Sequence, residues 1–145
     1  DHRDLHSFPT RRSSDLIVTA FSPGLASRIY GGADFFLMPS VSEPCGLAQM
    51  IALRYGTIPI VRNTGGLADT VQAFSPAAGS GNGITFETVN AHDMLDAVRR
   101  GLAYYKDPTL RKKLTANALA GDYSWRKSAG DYIALYDRLT GRGTA

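Results

Sequence analysis

The stretch from Phe35-Phe36-Leu37-Met38 through Pro39-Ser40-Val41-Ser42-Glu43 to Pro44-Cys45-Gly46-Leu47 constrains the fold of this chain more than any other. Four consecutive apolar residues closed by Pro39-Ser40 read as a strand buried on both faces, the environment of a parallel sheet covered by helices. In such a sheet the functional loop lies at the carboxyl end of the strand. Here that loop carries one carboxylate, Glu43, followed by Pro44, which suits the first turn of a helix because the amide hydrogen it lacks would have no partner there. Gly46 admits close approach of a ligand to the backbone, and the open amides of Gly46, Leu47 and Ala48 would face an anion. A helix start offers about half a unit of positive charge, so a carboxylate beside it suits a diphosphate and the group the diphosphate carries. The competing reading makes Glu43 a solvated loop residue and Pro-Cys-Gly an ordinary turn.

The same unit recurs downstream. A helix opening at Cys45 carries Leu47, Met50, Ile51, Leu53 and Arg54 on a broad apolar face and ends at Gly56. Thr57 to Val61 is the next strand, in which Pro59 calls for an edge, a bulge or a strand start. Thr64-Gly65-Gly66-Leu67 then enters a short helix to about Phe74, so two helix N-termini meet one edge of the sheet, where open parallel sheets bind ligands. Upstream, Ile17 to Phe21 reads as a strand, and Ser22-Pro23 caps a helix to about Tyr30 that Gly31-Gly32 stops. After a Gly- and Pro-rich loop, Ser75 to Asn82, the pattern predicts a last strand at Gly83 to Glu87. Three helices follow. Asn90 with Asp93 forms a capping box for the first, Asp107-Pro108 opens the second, and Ser124 opens the third, whose buried stripe would be Ala129, Tyr132, Ile133, Tyr136 and Leu139. The fold class is therefore α/β, a partial Rossmann-like parallel sheet with a C-terminal helical tail over about residues 90–140.

Composition narrows the function classes. With 145 residues, 43% hydrophobic and 20% charged, the chain is one domain's worth with enough apolar content for a core. No apolar run is long enough to span a membrane. A single cysteine excludes an internal disulfide, and with three histidines it argues against a structural zinc site. Cys45 has no histidine close in sequence to activate it, so we read it as a small packed residue beside the site and not as a nucleophile. The net charge of +3 arises late in the chain, where ten Lys and Arg stand against four Asp between Arg99 and Arg142. Interleaved Tyr104, Tyr105, Tyr123, Trp125, Tyr132 and Tyr136 raise nucleic-acid or glucan binding, but aromatic residues at helical spacing more often form a core and Lys and Arg a solvated face. We therefore expect no nucleic-acid partner and no membrane partner.

Residues 1–16 stand apart. They show no periodicity and balanced charge, and all fifteen glycines lie after them. They are too polar for a secretory signal, and three acidic residues argue against a transit peptide. The segment resembles translated sequencing-adapter read-through, so we expect a non-native or disordered lead, with residues 17–145 forming the domain.

Beyond these local readings, a set of collinear strings resembles the carboxyl-terminal half of bacterial glycogen synthases and plant starch synthases. They are Gly32-Ala33-Asp34 to Pro39-Ser40, Glu43-Pro44-Cys45-Gly46-Leu47 with Gln49, Arg54-Tyr55-Gly56-Thr57 with Pro59, Thr64-Gly65-Gly66-Leu67-Ala68-Asp69-Thr70-Val71, Asp122-Tyr123-Ser124-Trp125, and Tyr132 to Leu139. The resemblance implies the later part of the nucleotide-binding domain of a retaining, two-domain transferase of the GT-B type. That family moves glucose from ADP-glucose to the non-reducing end of an α-1,4-glucan. It implies that Glu43 contacts the transferred glucose and supports charge at its anomeric carbon, and that the amides of Gly46 and Leu47 hold the diphosphate, with Cys45 beside them. Thr64, Gly65 and Gly66 would lie near the donor, and Phe21 would stack on the adenine; core filling at a strand end is the other reading of Phe21. No metal and no cofactor beyond the donor are implied. The partners would be ADP-glucose, the glucan and an N-terminal domain of the same chain, in the cytoplasm of a bacterium or the plastid of a plant.

The diphosphate-clamping arginine and lysine of the family lie upstream of Val18 and are absent, so the 145-residue chain alone is expected to show no transferase activity. Many related transferases carry a second glutamate eight residues after the first; here that position is Ile51, which resembles glycogen and starch synthases rather than enzymes using UDP- or GDP-sugars. Such another GT-B transferase, or a non-catalytic α/β binding module, are the alternatives.

Overall fold

Among the described residues helix and strand alternate through six elements before three further helices, and two strand–helix–strand crossovers set their order. In the computed structural model, which describes residues 18–141, they are α1 (Pro23–Gly32), β1 (Phe35–Met38), α2 (Ala48–Tyr55), β2 (Ile58–Arg62), α3 (Gly65–Thr70), β3 (Ile84–Phe86), α4 (Ala91–Lys106), α5 (Pro108–Leu119) and α6 (Trp125–Leu139). The lead and Ile17 lie outside the described residues. The sheet has the order β1-β2-β3 and is parallel throughout, with Leu37 beside Ile60 and Ile60 beside Ile84. The α/β class with a parallel sheet and a helical tail is thus the observed architecture.

Burial follows position in the sheet. Central β2 is buried along Ile58, Pro59, Ile60 and Val61. Around it pack Leu53 from α2, Leu67 from α3, Ile84 and Phe86 from β3, Ala97 from α4, and Leu114 and Ala118 from α5. β1 was expected to be buried on both faces, but among the described residues it is an edge strand, and Leu37 is 44% exposed. Val18 to Phe21 forms no strand, which corrects the expectation for that segment. An apolar run becomes a strand only through a neighbour that takes its hydrogen bonds, and no described residue supplies one.

Pro59 sits inside the central strand without breaking a bond. The Ile58 N–H donates to Asp34 O at 3.0 Å, toward β1. Alternation turns position 59 toward β3, which begins only at Ile84, opposite Ile60, so no ladder bond is lost there.

Helix starts follow their capping residues. Ser22 Oγ accepts from Leu25 N with Pro23 in the first turn, and Asp107 Oδ1 accepts from Thr109 N and Leu110 N. Asn90 caps α4 by accepting from Asp93 N at 2.8 Å. The expected reciprocal arm is redirected: Asp93 Oδ2 takes the N–H of Glu87 and of Thr88 and the Thr88 hydroxyl, tying the exit of β3 to α4. The Thr88 amide and hydroxyl, the largest causes, hold the Asp93 carboxyl below its ordinary value. A carboxyl lowered in the fold contributes stability that is complete above its unfolded pKa of about 4 and is lost as pH falls through the lowered value. Between pH 6 and pH 3 the thermal midpoint of wild type should therefore fall further than that of Asp93→Asn, measured by circular dichroism; parallel decline would remove this role.

The stripe expected to be buried on α6 is not. Tyr132 and Tyr136 are each 60% exposed or more, Leu139 is 73% exposed, and no residue of α6 is buried. Ala129 is exposed as well. Helical spacing specifies a face to be covered, and no described element covers it.

Candidate functional site

Two loops leave the carboxyl ends of neighbouring strands and interlock: residues 39–47 from β1 and residues 63–64 from β2. The Gly66 N–H donates to Glu43 O at 2.9 Å. The approach is close enough that only glycine fits. A Cβ on Gly65 would stand 2.1 Å from Glu43 O, and one on Gly66 would stand 1.9 Å from Cys45 O. Gly65 also has φ +46, in the left-handed region. Gly65 and Gly66 therefore act first as the floor on which the carboxylate loop rests, and the amide of Gly66 is committed to that loop.

The loop is held by its carbonyls. Arg62, at the end of β2, donates Nε to Ser40 O at 2.8 Å and a terminal nitrogen to Val41 O. Glu43 O takes the Gly66 amide. The fully buried Gln49 shares the two hydrogens of Nε2 among Cys45 O at 3.2 Å, Gly46 O at 2.9 Å and Thr70 Oγ1 at 3.1 Å, and Thr70 Oγ1 itself donates to Gly66 O at 2.7 Å. With three acceptors around it the side-chain nitrogen must face the loop, which leaves Gln49 Oε1 buried without a partner among the described residues. Such an orphan costs about 1–3 kcal/mol, which the donor side offsets.

The carboxylate itself is lightly held. Glu43 is half-buried, and Ser40 Oγ donates to its Oε2 at 3.5 Å. Cys45 is exposed, with its thiol directed to Gly46 O at 3.9 Å. α2 begins later than expected, at Ala48 with Leu47 as its N-cap, so Pro44 and Cys45 belong to the loop and Pro44 is not in the first turn. The physical reason is Gly46, whose φ of +75 interrupts the helical path. Among the described residues no side chain caps α2, so its first turn keeps its positive end open. The buried side of α2 is Gln49, Ala52 and Leu53; Leu47 and Ile51, expected on the packed face, are 67% and 42% exposed.

Phe21 precedes the cap of α1 and is 95% exposed, so it fills no core at a strand end. The Tyr30 and Tyr55 rings stack at 6.4 Å, joining the last turns of α1 and α2. Thr64 is half-buried at the start of α3 and makes no side-chain capping bond. A cleft of about 600 Å³ adjoins the site, lined by Leu47, Ile51, Arg54, Tyr55, Leu119 and Tyr123. It lies against α2 and the α5–α6 junction rather than around Glu43.

Sequence reasoning missed Arg62, and met Gln49 and Thr70 only as parts of resembling strings. A signal existed for one of them: Gln49 stands three and four residues before Ala52 and Leu53, on what is the buried side of α2.

Comparison with known proteins agrees with this fold. Residues 13–120 match the family model of glycosyl transferases group 1. The chain is 56% identical over 123 residues to glycogen synthase of Geobacillus thermodenitrificans and 55% identical to that of Geobacillus stearothermophilus, in each case over 85% of this chain and 25% of the relative. It also superposes, with TM-score 0.74 and 40% identity, on the catalytic domain of starch synthase IV from Arabidopsis thaliana bound to ADP and acarbose, covering 82% of this chain and 25% of that one. The chain thus spans about a quarter of the length of the relatives it matches.

Proposed function

The chain belongs to the group 1 glycosyl transferases, and from that premise we propose that it is the later part of the nucleotide-sugar-binding domain of a glycogen or starch synthase. The whole enzyme would transfer glucose from ADP-glucose to the non-reducing end of an α-1,4-glucan with retention. The observation that carries this reading is the interlocked pair of loops at the carboxyl edge of the sheet, where one lightly held carboxylate stands before an uncapped helix start.

In this reading the diphosphate meets the amides of Gly46 and Leu47 and the positive end of α2, so the reading requires no metal ion or further cofactor. Glu43 lies toward the transferred glucose and stabilises positive charge developing at the anomeric carbon. Phe21 offers an exposed ring to the adenine, Cys45 borders the diphosphate, and Thr64 and Gly65 border the donor from the second loop. The acceptor glucan and the opposing domain belong to the part of the relatives this chain does not span.

Nucleotide competition tests the donor assignment. Titration calorimetry on the complete transferase should show ADP binding at least about tenfold tighter than UDP. Equal or tighter UDP binding would move the assignment to a transferase using another sugar nucleotide, and absence of any nucleotide binding would overturn it.

A further inference from the structure

We propose that Gln49 is a positioning residue of the donor site, and that it aims the Gly46 and Leu47 amides at the diphosphate by holding the carbonyls on their far side. The inference rests on the donor reading above. A trans peptide is planar, with its C=O and N–H antiparallel. The carbonyl of Cys45 shares a plane with the N–H of Gly46, and the carbonyl of Gly46 shares one with the N–H of Leu47. Gln49 Nε2 donates to both carbonyls, at 3.2 and 2.9 Å, from a side chain with no solvent exposure. Both N–H groups must therefore point the other way, out of the protein. Gly46 at φ +75 is followed by Leu47 in the right-handed region, an alternation that makes successive N–H groups converge on an anion.

Thr70 fixes the Gln49 side chain in turn. Its Oγ1 accepts from Nε2 and donates to Gly66 O, so one chain of bonds runs from the first loop through α2 to the first turn of α3, which follows the second loop. The same residue's carbonyl accepts from the Tyr123 hydroxyl and from Asn82 Nδ2, which anchors Thr70 from the opposite side. A methionine at position 49 would fill similar volume without donating, so the amide's contribution is directional and not one of packing.

The test separates orientation from ligand binding. In Gln49→Met, the ¹⁵N–¹H residual dipolar couplings of Gly46 and Leu47 should change while those of β2 stay at wild-type values; unchanged couplings at Gly46 and Leu47 would overturn the proposal whatever the ligand. ADP affinity should fall by about tenfold, the scale of one lost hydrogen bond to a charged group. Adenosine, which has no diphosphate, should bind Gln49→Met as it binds wild type. A parallel loss of ADP and adenosine would mean general loosening and would also overturn it. Thr70→Val, which keeps Gln49 and removes only its lock, should lower ADP affinity less, and Thr70→Ser should restore it. Failure of the donor reading shows separately, as wild type that binds no ADP but retains the oriented amides.

Discussion

Glu43→Ala in the complete transferase should lower glucan elongation by at least about a hundredfold while leaving ADP affinity within a few-fold of wild type. The structure makes this a clean substitution. The main chain at Glu43 is fixed by its carbonyl, through the Gly66 amide at 2.9 Å, and not by its carboxylate. Among the described residues the carboxylate has one hydrogen-bond partner, Ser40 Oγ at 3.5 Å, a contact too long to carry much energy. Removing it should shift folding stability by no more than about 0.5 kcal/mol, the range of an ordinary surface change. An effect on turnover without an effect on stability or on ADP binding places the carboxylate at the reacting sugar. Elongation within threefold of wild type, measured by incorporation of labelled glucose into glucan, would return Glu43 to the solvated-loop reading.

Gly66→Ala should be the most damaging single methyl that can be added near the site, costing on the order of 3 kcal/mol or more. Its new Cβ would stand 1.9 Å from Cys45 O and 2.5 Å from Cys45 C, both backbone atoms that no rotamer change can move. Relief requires the two loops to separate, which breaks the Gly66–Glu43 bond and pulls Cys45 and Gly46 from Gln49. The nucleotide site should therefore fail together with stability. Gly32→Ala is the matched control, because nothing lies within 4 Å of its Cβ and the residue is already helical. That control should be neutral or stabilising by up to about 1 kcal/mol. Thermal denaturation of both variants decides the matter, and equal midpoints would show that the loops do not interlock in solution.

Much of the fold was legible because it depends on neighbours close in sequence. Ser22, Asn90, Asp107 and Ser124 cap the helices they were expected to cap, and Gly56 ends α2 with φ +79. These are bonds within about four residues, so the local sequence specifies them. The elements that were misread are those whose state depends on a distant surface. Among the described residues Val18 to Phe21 lacks a pairing strand, β1 lacks a neighbour on the side away from β2, and the α6 stripe lacks a partner. An apolar pattern states what must be covered but carries no term for what covers it.

The candidate site divides along the same line. Sequence alone located the carboxylate loop, the glycine pair and the strand ends that bring them to one edge, because strand, glycine and helix start follow one another within a few residues. Only the tertiary structure decided how the loops are held. Gln49 meets Thr70 across 21 residues, Arg62 reaches back 22 residues to Ser40, and Gly66 closes on Glu43. Each is a directional bond to a backbone or hydroxyl group whose position is set by packing of α2 and α3 on the sheet. A hydrogen-bond donor in the sequence does not name its acceptor. The fold names it, by leaving one group within about 3 Å at a workable angle.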